Sequence, residues 1–272
     1  MKIAVIDMDS VAFSIGHPNK VLDALRQPMR TEDGSKFLYQ DKTEHEMRES
    51  ADFIMNDILT NGGFTHYIAY IKGKNTIHNK LSVNSDYKQD RTGGSPVWWN
   101  FVKQDVIDRW SVVQVDNLEV DDACNITRLK IADSYLCCID NDLLGLEGKH
   151  YNWRKNEWIS VTKQQELNKF WTEMIAGGHN NTKGIPKKGP AYASKIFNGI
   201  KKYDYDHSII VYKEFIDYFG VDLGIKEFYK NYICCQTMTN YEGFVIPEPI
   251  EYKRDIKLRV DDDDGGGVDV DW

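Results

Sequence analysis

Residues 2–10 read KIAVIDMDS. The segment 2–7 is a short apolar run that stops on an acid, Asp7. A run without alternation is the pattern of a strand buried in a parallel sheet. The segments that follow keep that reading. A helix is expected at 44–61, where Met47, Ala51, Ile54, Met55, Ile58 and Leu59 recur at helical spacing and NGG closes the run. HYIAYIK (66–72) is a second strand, and 73–96 is polar, basic and aperiodic. Then come a helix (97–110), the strand SVVQV (111–115), a helix from about 121 to 133 and the strand YLCCID (135–140). Strand alternating with helix implies a doubly wound α/β fold with a parallel sheet. Sites in such sheets form at the carboxyl ends of the strands.

The second half reads differently. HYNW and EWISV (150–161) suggest a small hairpin, and Thr162 caps a helix to about 176. Helices are expected near 189–200, 207–219 and 223–238, the second ended by Gly220. The expected organisation is an α/β core at 1–162, with a basic segment at 72–97. An all-α region follows at 163–250, then an acidic tail at 251–272 whose DDDDGGGVDVDW predicts disorder.

Composition limits the function classes. No run of about 18 apolar residues exists, so no membrane partner is expected. The start MKIAVIDMDS is too soon acidic for a signal peptide, so the expected location is the cytosol, or the host cytosol if a phage encodes the chain. Five cysteines without CxxC spacing read as buried thiols rather than zinc ligands. The net charge is −8, but the six Asp from 261 to 271 account for most of it, leaving −2 on residues 1–260. A near-neutral body with local basic stretches can hold nucleic acid.

The acids collect where strands end. Asp7 and Asp9 follow the first strand; Glu119, Asp121 and Asp122 follow SVVQV at a helix start; Asp140 and Asp142 follow YLCCID. Any one pair is equally a turn or a helix cap, and acids at a helix start are favoured by its dipole. Three clusters on one rim cannot all stay ionised without a cation. Hard oxygen ligands suit Mg²⁺ or Mn²⁺, and two such ions would clamp the attacking and leaving oxygens in phosphodiester hydrolysis.

Basic residues belong near the same rim. Lys72, Lys74, Lys80, Lys88 and Arg91 could grip a phosphate, and Tyr87 or His78 could stack on a base; a solvated loop has the same composition. GIPKKGPAYASKI (184–196) sets Gly184 and Gly189 in a turn opening a helix, with Lys183, Lys187, Lys188 and Lys195 around it. Such a turn offers backbone N–H groups to a phosphate. An ordinary helix–turn–helix with surface lysines is the alternative.

Taken in order, IDMDS, YKQDR, LEVDDA, CIDNDL, GKHYNW and GIPKKGPAYASKI resemble the 5′→3′ exonuclease and flap endonuclease family, especially its short phage-type members. The resemblance covers roughly residues 1–200. It implies a PIN-like nuclease fold followed by a helix–three-turn–helix module, and Mg²⁺-dependent hydrolysis at 5′ ends of DNA, or of RNA in hybrids, with cutting at flaps. It puts Asp7, Glu119 and Asp121 in a first metal site with Asp122 nearby, and Asp140 and Asp142 in a second. It gives Lys88 and Arg91 the contact with the scissile phosphate. Gly184 to Gly189 become the hairpin that holds duplex backbone, often around K⁺.

Two departures stand against that pattern. The family carries an aspartate at the end of the second strand, where this chain has Ile71-Lys72. It also carries a GD-x-x-DN stretch where this chain reads AGGHNN (176–181), which puts Gly177 and Asn180 at aspartate positions. Three explanations follow: a weak second metal held by Asp140, Asp142, water, Asn180 or His179; a fold that kept DNA binding and lost most catalysis; or a replacement acid such as Glu173. The survival of the other acids favours an active nuclease with a modified second site. A small-molecule phosphatase needs neither the basic segment nor the hairpin. The tail is read as a solubilising linker, a docking peptide for a replication partner, or a DNA mimic.

Overall fold

A computed structural model describes residues 1–89, 94–178, 182–198, 200 and 204–253. Strand β1 (Ile3–Asp7) runs directly into α1 (Met8–Ile15). Two exposed two-residue strands, β2 (Asn19–Lys20) and β3 (Tyr39–Gln40), pair antiparallel. Then come α2 (Glu44–Asn61), β4 (His66–Lys72), α3 (His78–Leu81), α4 (Trp99–Trp110), β5 (Val113–Val115), α5 (Val120–Lys130), β6 (Ser134–Cys137) and α6 (Asn141–Leu144). The hairpin β7 (Gly148–Asn152) and β8 (Glu157–Val161) leads to α7 (Lys163–Ala176), α8 (Pro190–Ile196), α9 (Asp204–Phe219) and α10 (Val221–Cys235), and β9 (Ile250–Glu251) comes last.

The main sheet has the order β5-β4-β1-β6-β7-β8, with β9 on β4. β1 lies in the middle, parallel to both β4 and β6, with all five of its residues buried. That double burial is the reason its sequence does not alternate. Ala4 and Ile6 face α1, α2 and α4; Val5 faces α5. Helices therefore cover both faces, and the strands' carboxyl ends meet on one rim. A second core, built on Trp171, Met174, Ile185, Phe215 and Phe228, joins α7 to α10. The fold class is thus an α/β unit with a mostly parallel sheet, β8 and β9 being antiparallel to their neighbours, followed by a helical region.

Capping fixes the helix starts. Thr43 with Glu46 and Thr162 with Gln165 form capping boxes on α2 and α7. Some ends fall short of the expected ones. α5 stops at Lys130 rather than 133 because Ile131 is extended and Asp133 takes φ +55, which turns the chain into β6. β6 stops at Cys137, and Cys138 N donates to Tyr151 O instead. α10 ends at Cys235, with Gln236 extended.

The largest correction concerns the end of the helical region. The chain after α10 returns to the α/β core instead of continuing as helix and tail. Met238, Tyr241, Phe244 and Ile246 pack on the α5 face of the sheet. β9 pairs antiparallel with β4, and Tyr252 OH donates to Asn56 Oδ1 at 2.9 Å. Glu251 and Tyr252 are therefore docked; residues 254–272 of the expected acidic tail lie outside the described residues.

Candidate functional site at the sheet rim

Asp7 is the last residue of β1 and is 3% exposed. Its Oδ1 accepts from Asp9 N at 3.0 Å and Ser10 N at 3.4 Å, so it caps α1. Asp140 caps α6 in the same way, its Oδ1 accepting from Asp142 N at 2.7 Å. Capping and a place on the rim are therefore not exclusive: the cap fixes the carboxylate, which keeps a second oxygen. Asp121 and Asp122 occupy the first turn of α5, where the helix dipole favours acids. Glu119, Asp121, Asp122, Asp140, Asp142 and Glu173 line one pocket with Lys80 and Lys88.

Charge in this pocket is unevenly matched. Burial raises Asp7 to about 7, with repulsion from Asp9 and Asp140 added. Burial also raises Asp121 well above the usual carboxylate range, and Asp7, Asp140 and Glu119 push it further. Glu119 goes the other way. Burial would raise it, but the ammonium groups of Lys80 and Lys88 outweigh that and hold it low. Lys80 Nζ stands 2.5 Å from Glu119 Oε2, and Lys88 Nζ bonds Glu119 Oε1. Asp122 is tied elsewhere: its Oδ1 accepts from Met238 N at 2.7 Å, and Asn125 Nδ2 donates to Met238 O at 3.0 Å. These bonds lock α5 to the returning chain.

The acids differ in how well they suit a divalent cation. Asp7 and Asp121 fit one: both are carboxylates under mutual repulsion, and neither forms an ion pair among the described residues. Asp142 fits less well, because Lys169 Nζ is already 2.9 Å from its Oδ1. As the side chains stand, no three His, Cys, Asp or Glu among the described residues form a group able to hold a metal ion.

No protein-family model matches the chain, and no curated protein matches its sequence. Solved structures do. The 5′-exonuclease of bacteriophage T5 with bound divalent metal ions (zinc) superposes with a TM-score of 0.62 at 11% identity, over 86% of this chain and 89% of that one. The T5 protein co-crystallised with metal ions gives 0.61 at 10%, over 86% and 88%. The T5 flap endonuclease in a pseudo-enzyme–product complex with DNA and metal ions gives 0.59 at 11%, over 86% and 88%. The fold is that of the T5 5′-nuclease.

Within this 5′-nuclease fold, the bare stretch after α7 has a physical cause. Gly177 ends α7 with φ +85 and ψ 155, a region open in practice to glycine alone. A Cβ there would lie 2.6 Å from Thr182 O and 3.0 Å from Lys183 C. Gly184, at φ +57, presses against the same place; its Cβ would lie 2.3 Å from Gly177 N. The two glycines let the backbones before and after 179–181 touch, so position 177 has no room for an aspartate. His179 and Asn180, the other candidates for the second metal, lie outside the described residues.

The basic residues divide into two groups. Lys74, Lys187 and Lys195 are exposed, and nothing lies within 4 Å of where a Gly189 Cβ would be, so the hairpin's outer turn is open. Lys188 instead pairs with Glu214, which also accepts from Tyr192 OH. Lys72 stands 4.3 Å over the Trp99 ring. Two expectations need correcting. Tyr87 is 2% exposed, with its ring beneath Lys80 and Lys88 and its OH toward Glu119, so it has no face for a base. Lys80 is buried and turned inward to Glu119 rather than outward to a phosphate. Arg91 lies outside the described residues.

Asp9 does more than its place beside Asp7 in the sequence suggests. Its Oδ1 accepts from Lys72 N at 2.8 Å, which brings an acid to the end of the second strand, where Ile71-Lys72 supplies none. The DMDS motif was the available signal. Lys169 had none, because its partner Asp142 is remote in sequence.

Proposed function

We propose that this chain is a divalent-metal-dependent nuclease that hydrolyses phosphodiester bonds at the 5′ ends or flaps of DNA, or of RNA paired with DNA. The observation that carries the proposal is the gathering of Asp7, Glu119, Asp121, Asp140 and Asp142, with Lys80 and Lys88, at the carboxyl rim of the sheet. The likeness in fold to a nuclease crystallised with DNA and metal ions supports it.

Asp7, Glu119 and Asp121 would hold Mg²⁺ or Mn²⁺, with Asp122 nearby fixing α5. When bound, such an ion polarises the phosphoryl oxygen and lowers the pKa of water. Asp140 and Asp142 form the second, acid-poor half of the site. Lys88, with Arg91, would contact the scissile phosphate; its ammonium pairs with Glu119 in the pocket that the acids line. Lys72, Lys74 and the hairpin Gly184 to Gly189, with Lys187, Lys188 and Lys195, hold duplex backbone, with K⁺ at the hairpin. In this reading the core (1–162) cuts and the helical region (163–250) positions the duplex. The acidic tail binds a replication partner, and the protein acts in phage DNA replication or degradation, in the host cytoplasm.

The backbone closure at Gly177 favours a second reading, a flap- or junction-binding protein with little or no catalysis. One experiment separates them: cleavage of a 5′-labelled flap duplex and a 5′-recessed duplex in Mg²⁺ and in Mn²⁺, beside Asp121→Ala. The proposal expects cutting that disappears in the variant. Tight flap binding with no cutting in either metal would establish the binding reading instead.

A further inference from the structure

The acid-poor half of the rim has a cation of its own. Lys169, on α7, places Nζ 2.9 Å from Asp142 Oδ1 and 2.9 Å from Glu173 Oε1. Asp142 and Glu173 both line the rim pocket with Asp121 and Asp140. The contact with Glu173 alone would be an ordinary helical pair at i and i+4. The contact with Asp142 is not: it spans 27 residues and joins α7 to α6 across the rim. The lysine's path is also prepared. Its stem passes over Gly145, where a Cβ would lie 2.4 Å from Lys169 Cδ and 2.8 Å from Cε. Any other residue in that place would push the stem aside.

We infer that the Lys169 ammonium stands in for a second divalent ion, so that the rim binds one metal at Asp7 and Asp121, which form no ion pair among the described residues, and neutralises Asp142 and Glu173 internally. The inference rests on the nuclease reading above and deepens it. A carboxylate pair loses affinity for a divalent ion when an ammonium already bridges it, because the ion must displace that charge or share the site with it. The glycine backbone at 177 removes the option of restoring an acid there. Together these features make a site with fewer acids and one fixed positive charge, rather than a damaged two-metal site.

The test counts ions without relying on turnover. Mn²⁺ is titrated into the full-length protein and followed by electron paramagnetic resonance of free Mn²⁺, beside Lys169→Met, which keeps the stem, and Lys169→Arg, which keeps the charge. The wild type and Lys169→Arg are expected to bind one ion per chain. Lys169→Met is expected to bind a second, with at least a tenfold gain in affinity at that step, lost again when Asp142→Asn is added. Gly145→Ala, which displaces the stem without touching the charge, is a second route to the same gain should Lys169→Met fail to fold. Two ions in the wild type with cleavage intact, or one ion in both Lys169→Met and Gly145→Ala, would overturn the inference and leave the nuclease standing. No ion bound and no cleavage would overturn both.

Discussion

Asp7 carries two duties that pull in opposite directions. It caps α1, and it sits buried among other acids. Its carboxyl titrates near 7 in the folded protein, raised by burial and then by Asp9, against about 3.9 in the unfolded chain. Between those values the native state holds the proton and the unfolded state does not. Stability of the metal-free protein therefore falls as pH rises through that window, by a few kcal/mol shared between Asp7 and the neighbouring Asp121. Calorimetry in EDTA should show Tm dropping from pH 5 to pH 8. Asp7→Asn should flatten that drop, because asparagine still caps a helix but never ionises. Equal slopes for the two proteins would refute the assignment. Gly177 makes the opposite kind of prediction. Gly177→Asp, which adds an acid at the end of α7, should cost roughly 2–4 kcal/mol from its φ and the nearby carbonyl, and should bind no additional Mn²⁺. A stable variant with a new ion would show that the backbone there can yield.

At the scale of elements, the hairpin between α7 and α8 separates structural glycine from functional glycine. Gly184→Ala meets Gly177 N at 2.3 Å with φ +57, so it should lower Tm by about 5–10 °C. Gly189→Ala meets nothing within 4 Å at φ −86, so it should leave Tm within about 2 °C yet weaken duplex binding several-fold by covering the backbone N–H groups. Thermal melts beside fluorescence anisotropy on a duplex would check both; an unstable Gly189→Ala or a stable Gly184→Ala would reverse the roles. Much of this architecture was legible in the sequence. α2 repeats its apolar residues for 18 positions, and β1 and β4 are near-continuous apolar runs because both faces are covered. What escaped had no such period. β2 and β3 are two exposed residues each, and α1 and α6 are 8 and 4 residues long, continuous with the acids they present. β9 is a two-residue strand whose pairing with β4 joins distant parts of the chain. The Lys169–Asp142 contact escaped for the same reason: local patterns carry no information about partners 27 residues apart that meet only in the folded chain.

For the whole molecule the governing quantity is the distribution of charge. The body carries −2 and the six Asp beyond residue 260 carry the rest of the −8. Exposed Lys74, Lys183, Lys187 and Lys195 offer DNA phosphates a local positive field that the net charge conceals. A tethered acidic segment can compete for that field only where salt does not screen it, within about 10 Å at 0.1 M. A tail that competed in this way would, when 260–272 is deleted, tighten duplex binding by several-fold at 50 mM salt, steepen the dependence of log affinity on log salt, and make no difference above about 0.5 M. The docking role proposed for the tail predicts the other outcome: DNA affinity and salt slope unchanged by the deletion at every ionic strength. Anisotropy titrations of both forms across that salt range distinguish the two, because only a competitor for phosphate sites gives a difference between the curves that shrinks as salt rises.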